Sequence, residues 1–281
     1  MSAKAQRLTH NFQNTSLSEA LIWIDNAQDN YKLNFIFDEL EDFTVTTSLK
    51  NTTVRDAVRQ VCGFYPMHLT FDEQDIYIEC TQKADTKLSG RVVDEKGQPI
   101  PYASIALLSL TDSMFLTGGV SNEAGDFVIP CTLKRVVARI SCIGYKTIEQ
   151  PYDVGHIGKI RMYPDQYMVK GVEVKGSKRI VYTSGNNLVA NIQGTALELF
   201  GSASEMITHL PLMMSDGTIA GHGKPVIYIN NKKVRDEAEL ERLRSNEILT
   251  AEIITNPGSE YGAEVTSVIK LKTIRRTGEG W

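Results

Sequence analysis

Residues 223–276, GKPVIYINNKKVRDEAELERLRSNEILTAEIITNPGSEYGAEVTSVIKLKTIRR, decide how the last third of the chain folds. They read as strand, turn, short helix, strand, long turn and strand. Val226, Tyr228 and Asn230 alternate with Ile227 and Ile229, and the corner Asn230-Asn231-Lys232 closes that strand with residues that tolerate positive φ. Asp236 can cap a helix with Leu240 and Leu243 on one face and charges on the other. Ile248 to Thr255 is strand-like, and Asn256-Pro257-Gly258 ends it because proline has no amide proton to give a ladder. An apolar strand then resumes through Val265, Val268, Ile269 and Leu271 and runs out in Lys272 to Arg276.

The series PVIYINNKKV, EILTAEIITNPGSEYGAE and SVIKLKT resembles the plug domain of TonB-dependent outer-membrane receptors, in the variety common among Bacteroidetes. The preceding SASEMITHLPLMMSDGTIAGHG resembles the helix and loop that open such plugs, with Leu212 standing where the family has glycine after the proline. The resemblance implies an α/β plug domain over 181–276. Within its loop, Met213, Met214, Ser215, Asp216 and His222 are the candidates for contact with a transported ligand, although methionine is more often a gap filler.

Upstream, 281 residues suit two or three domains, each able to bury a core. A net charge of -4 argues against a general nucleic-acid binder, which needs clustered Lys and Arg to neutralise phosphates. MSAKAQRLTH lacks the apolar core of a signal peptide, and no stretch approaches the ~20 apolar residues of a spanning helix. The alternating strands of a barrel wall are also absent from this sequence. The plug resemblance therefore implies an exported protein whose signal and C-terminal β-barrel lie outside this chain, placed on the periplasmic side of the bacterial outer membrane.

The N-terminal part repeats itself. Asn14-Thr15-Ser16-Leu17-Ser18-Glu19-Ala20-Leu21 matches Asn51-Thr52-Thr53-Val54-Arg55-Asp56-Ala57-Val58 position by position. Ser16 with Glu19, and Thr53 with Asp56, have the spacing of helix N-caps. Beyond each cap the apolar residues keep one helical face: Leu17, Ala20, Leu21, Ile24, then Val54, Ala57, Val58, Val61. Alternating residues follow each helix, Leu33, Phe35, Phe37 and then Met67, Leu69, Phe71, so a duplicated helix-and-strand unit is expected. The arrangement resembles the STN domain of secretins and signalling TonB-dependent receptors over 8–82. In transducing receptors that domain contacts the periplasmic domain of an anti-sigma factor; in secretins it serves assembly.

After a polar linker, Gln82 to Thr86, the strings KLSGRVVDEKGQPIPYASIALLSL, TGGVSNEAGDFVIP and ARISCIGYKT are short strands between turn-rich segments, as in a β-sandwich. They resemble the carboxypeptidase regulatory-like domain over 87–163, an Ig-like accessory domain without peptidase chemistry. Its acidic turns, Asp94, Glu95, Asn122, Glu123 and Asp126, contain no twelve-residue calcium loop and read as structural. The stretch 164–180 is a linker. By resemblance, Met168, Val169, Lys170, Gly171, Val172, Glu173 and Val174 occupy the place of the TonB box, a strand able to add to the edge of a partner sheet in the periplasmic domain of TonB. A plain linker or first plug strand is the competing reading.

Catalytic patterns are weak. No HExxH, GxSxG or phosphate-cradling loop is present. His209, Ser215, Asp216 and His222 lie close in sequence, but a Gly- and Ser-containing loop is the commoner explanation. No enzyme, cofactor or metal site is expected. Cys62 and Cys80 can both face the first domain's core, which leaves open a disulfide or two thiols; Cys131 and Cys142, flanking a hairpin expected at Thr132 to Arg135, are out of register for pairing. The whole reads as a multidomain α+β chain: βαβ-repeat STN-like domain, Ig-like β-sandwich and α/β plug. The expected role is gating uptake of an unknown ligand and relaying its occupancy to an anti-sigma factor. The alternative is a non-transporting periplasmic scaffold or secretin-like assembly module.

Overall fold

The computed structural model describes residues 6–165, 180–184, 186–214, 216–262 and 264–274. The chain is mostly β, in several separate sheets. Strands β1 (Arg7–Ser16) and β3 (Thr44–Thr53) pair antiparallel, and each runs straight into a helix, α1 (Leu17–Asn26) or α3 (Val54–Cys62). The sequence repeat is therefore also a structural one. The Ser16 hydroxyl accepts the Glu19 amide and the Thr53 hydroxyl accepts the Asp56 amide, each at 3.2 Å. Asn14 (φ 49°) and Asn51 (φ 52°) are both left-handed at register shifts of the ladder. Their amides donate crosswise, Asn14 to the Thr46 hydroxyl and Asn51 to that of Thr9, both at 3.0 Å.

A second sheet closes this unit in the order β2 (Lys32–Asn34), β5 (Asp75–Cys80), β4 (Met67–Phe71), with β2 parallel to β5. Leu17, Ala20, Leu21, Ile24 and Val54, Ala57, Val58, Val61 are buried beneath it, as the helical spacing requires. The strand expected through Phe37 is shorter. It stops at Asn34, and Phe37 opens a helical turn, α2 (Phe37–Leu40), with its own side chain exposed. Burial of Leu40 through that turn takes the place of continued alternation.

Residues 87–161 form a sandwich. One sheet has the order β11 (Ile148–Asp153), β10 (Arg135–Ser141), β7 (Ser104–Leu108), β8 (Phe115–Val120). The other has β12 (His156–Arg161), β6 (Lys87–Val93), β9 (Asp126–Pro130). Leu88, Ile105, Leu107, Phe127, Ile129, Val136 and Ile140 fill the space between them. The Thr132 to Arg135 corner is not a hairpin, contrary to the expectation from sequence. It carries the chain from one sheet to the other, since β9 pairs with β6 whereas β10 pairs with β7 and β11. Cys131 and Cys142 are free thiols.

The last unit is a six-stranded mixed sheet, β13 (Val181–Ser184), β14 (Asn187–Asn191), β17 (Ile248–Thr255), β18 (Ser267–Thr273), β15 (Val226–Ile229), β16 (Lys232–Lys233). Helices α4 (Ala203–Ile207) and α5 (Glu237–Arg242) accompany it. Asn230 (φ 47°) and Asn231 (φ 69°) make the two-residue turn between β15 and β16, because both central positions of such a turn need positive φ. Asp236 accepts the Ala238 amide at 3.1 Å and starts α5. The last strand begins at Ser267, so Val265 stays outside it. Leu212 is left-handed (φ 72°) and wholly buried. No helix among the described residues is long and apolar enough to cross a membrane.

Candidate functional site

The loop between α4 and β15 is wedged into a junction where all three units meet. Pro211 and the left-handed Leu212 turn the chain so that Met213 and Met214 point inward. Met214 packs with Ala106, Leu108 and Ala220 against the outer face of the β7–β8 pair. That seat exists because residue 118 is glycine: a Cβ there would lie 2.6 Å from the Met214 sulfur and 2.8 Å from the Ile105 carbonyl. Gly221 (φ 73°) meets the first unit as closely, since a Cβ on it would lie 2.5 Å from that of Pro66. The Thr81 hydroxyl donates to the Gly221 carbonyl at 2.9 Å, and the Gln82 amide donates to the Gly118 carbonyl at 3.0 Å.

Two asparagines complete the junction. The Asn256 side chain donates to the Met67 carbonyl at 2.9 Å and accepts the Leu69 amide at 3.2 Å. These are the two bonds that a residue of a neighbouring parallel strand would make around His68, so the amide caps the open edge of β4. From the sandwich, Asn122 donates to the Thr44 carbonyl at 3.1 Å and meets the Tyr65 hydroxyl at 3.2 Å. Sequence reasoning named Asn256 only as a strand terminator and Asn122 only as a turn residue. The signal was the left-handed NPG corner itself (Asn256 φ 52°), which frees an amide to point away from its own sheet.

His222 lies at the centre of this contact and is buried, at 5% exposure. Its carbonyl accepts from the Thr266 hydroxyl at 2.5 Å and the Ser267 hydroxyl at 3.2 Å. Among the described residues its Nε2 has no hydrogen-bond partner. Burial, opposed by the Tyr65 carbonyl and assisted by His68, brings its pKa down from 6.5 to about 4, so the ring is neutral near pH 7.

Of the residues singled out for ligand contact, Met214 and His222 are buried against protein, Met213 is largely buried but borders a cleft, Asp216 holds the Thr218 amide and hydroxyl in a surface turn, and Ser215 lies outside the described residues. The strand segment Met168, Val169, Lys170, Gly171, Val172, Glu173 and Val174 also lies outside them. His209 is separate from His222: it is exposed, stacks on Phe200 at 4.1 Å and is held through Nδ1 by the Glu205 carbonyl at 3.1 Å. It borders a cleft of about 860 Å³ between sandwich and last sheet, lined also by Tyr102, Ile143, Tyr145 and Met213, to which His222 does not contribute. Among the described residues no group of three or more His, Cys, Asp or Glu could hold a metal ion.

Cys62 and Cys80 are both buried thiols rather than a disulfide. Cys80 turns its sulfur to the Gln82 carbonyl at 3.1 Å, and burial pushes the Cys62 pKa up to about 12. The acidic turns of the sandwich are structural: Asp94 accepts the amides of Lys96 and Gln98, Asn122 those of Ala124 and Asp126, and Asp126 takes a bidentate Arg91. With its two sheets, its turns and its packed interior in place, the sandwich can be identified. Residues 87–162 match the model of the carboxypeptidase regulatory-like domain.

This regulatory-like domain takes in all of β6 to β12 and leaves the flanking units unassigned. No curated protein matches the chain. Among solved structures, 3-chlorocatechol 1,2-dioxygenase from Rhodococcus opacus is similar at 12% identity and a TM-score of 0.23; the match covers 30% of this chain and 61% of that one, less than two thirds of its length. The shaft pilin SpaA of Lactobacillus rhamnosus GG is similar at 11% identity and 0.25, covering 58% and 90%. A putative carbohydrate-binding protein of Bacteroides uniformis gives 13% and 0.25, covering 68% and 100%. None of these TM-scores implies a shared fold.

Proposed function

We propose that the chain is the periplasmic signalling and plug region of a TonB-dependent outer-membrane transporter, gating ligand uptake and relaying occupancy to an anti-sigma factor. The observation that carries this reading is the backbone at Leu212. The plug-like motif has glycine at that position, and the residue here is left-handed, the conformation for which glycine is ordinarily required. The last sheet follows the same motif order, with β15 parallel to β18 and the NPG corner between β17 and β18. The duplicated first unit supports an STN-like assignment, and the regulatory-like domain stands between the two.

In this reading TonB adds to the segment 168–174 by strand pairing and pulls, and the plug-like sheet loosens against its barrel. Both steps require elements with two accessible states. The side-chain bonds that tie the three units favour a second reading, a rigid periplasmic scaffold or assembly module. Calorimetry separates them. The chain is titrated with the periplasmic domain of its organism's TonB and with that of the cognate anti-sigma factor, each repeated with Val172→Pro. The transporter reading predicts binding to both, with the proline abolishing only the TonB interaction. Absence of binding to either at high micromolar concentration would leave the scaffold.

A further inference from the structure

The Gly221–His222 corner joins the last unit to the first through contacts with little slack. Gly221 touches Pro66, its carbonyl accepts from Thr81, and Asn256 beside it caps β4. At the middle of these contacts is an imidazole with one ring nitrogen unsatisfied. The groups facing it are known on each side. The turn before β4 presents the Tyr65 carbonyl, β4 presents His68, and Thr266 and Ser267, at the start of β18, donate their hydroxyls to the His222 carbonyl. No described carboxylate bonds Nε2, so a second ring proton would have no acceptor.

We infer that this corner is a proton-sensitive joint: uptake of a proton by His222 releases the first unit from the loop at Gly221 and uncovers the edge of β4. A buried N–H without an acceptor, on a charged ring beside His68, forfeits its hydration without replacement. Water reaches the ring once the two units part. Protonation therefore favours the parted arrangement, and the closed one holds while the ring is neutral.

The direction in pH follows from the lowered pKa. A ring that takes its proton at 6.5 when exposed and at about 4 when enclosed favours the closed joint fully above pH 6.5, and that preference is lost as pH falls toward 4. Between about pH 7.5 and about pH 5 the ratio of closed to parted molecules should fall about 30-fold. The ion pairs Lys83–Glu39 and Lys87–Asp42 also tie the first unit to the residues that follow it, but they persist in a protein altered only at His222.

The test is amide hydrogen exchange on the full chain, corrected for the intrinsic effect of pH, read at Leu69, whose N–H is held by Asn256 across the joint. Protection at Leu69 should fall about 30-fold over that pH range in the parent protein while Ile105, inside the sandwich, stays unchanged. His222→Gln and His222→Phe, neither of which titrates, should each remove that pH dependence. An unchanged Leu69 in the parent would overturn the inference, and so would an equal fall in a folded variant. If neither variant folds, the His222 ring resonance in the parent decides. It must titrate together with Leu69 protection, and a midpoint unrelated to that loss refutes the joint.

Discussion

Replacing Leu212 by glycine and by alanine separates backbone strain from burial. The side chain is wholly buried, so either change removes a packed group and should cost about 2–5 kcal/mol before backbone terms are considered. At φ 72° alanine keeps the left-handed penalty of roughly 1–2 kcal/mol, which glycine does not incur. Glycine loses part of that advantage, about 0.4–1 kcal/mol, through its freer unfolded chain. Alanine also keeps a buried methyl worth about 0.8 kcal/mol, so the balance leaves the two variants within about 1 kcal/mol of each other, whereas at a buried site in a regular helix or strand alanine would lead by about 1.5 kcal/mol. Urea unfolding followed by circular dichroism, with both variants run beside the parent, reads the difference as a shift in midpoint at unchanged slope. An alanine variant more stable than the glycine variant by about 1.5 kcal/mol or more would refute the claim that this position demands a glycine-like backbone.

Other consequences are equally concrete. Gly221→Ala places a methyl about where Pro66 already sits and adds left-handed strain, so exchange at Leu69 should rise at least tenfold, about 1.4 kcal/mol of docking, while Ile105 inside the sandwich stays protected; unchanged Leu69 exchange would exclude close docking there. Asn256→Ala removes two bonds across the same contact and should weaken it by about 1–3 kcal/mol, measurable as faster exchange at Leu69. Ser16→Ala and Thr53→Ala delete equivalent caps and should destabilise the first unit by similar amounts, about 1 kcal/mol each in thermal unfolding; a large inequality would count against the pseudo-symmetry. The Cys62 thiol, protonated well above neutral pH and buried, should resist alkylation near pH 8 until denaturant is added.

Much of the local structure was legible because it is dictated over a few residues. The two N-caps, the Asn230-Asn231 corner, the Asp236 cap and the end of β17 at Thr255 all depend on neighbours within one turn. Strands β1 and β3 were harder to read. Between Leu8 and Phe12, β1 keeps the two-residue period, but the inward position between them is His10, so the apolar alternation is interrupted, and the bulges at Asn14 and Asn51 then shift the register of the pair. The cross-over between sandwich sheets at Thr132 to Arg135 looked like a hairpin because a short polar turn permits either outcome, and pairing with distant strands decides it.

The junction was the least legible part. Asn256 bonds Leu69 across 187 residues, and nothing beside either position announces the other. Likewise the Gly- and Ser-containing stretch around His222 reads as exposed loop. Its burial follows from Gly118 and Gly221, whose missing side chains admit Met214 and Pro66. Of the residues chosen for contact with a ligand on the grounds of soft or basic chemistry, Met214 and His222 are buried at a contact between domains, and Met213 borders the cleft beside His209.

The proposed role is tested most directly in living cells, with a photoreactive amino acid in place of Val172 in the native protein. If the chain is the TonB-coupled part of a transporter, illumination should yield an adduct with TonB that diminishes when the proton gradient is collapsed. Efficient expression in the outer membrane with no TonB adduct, whether the cells are energised or not, would contradict the account.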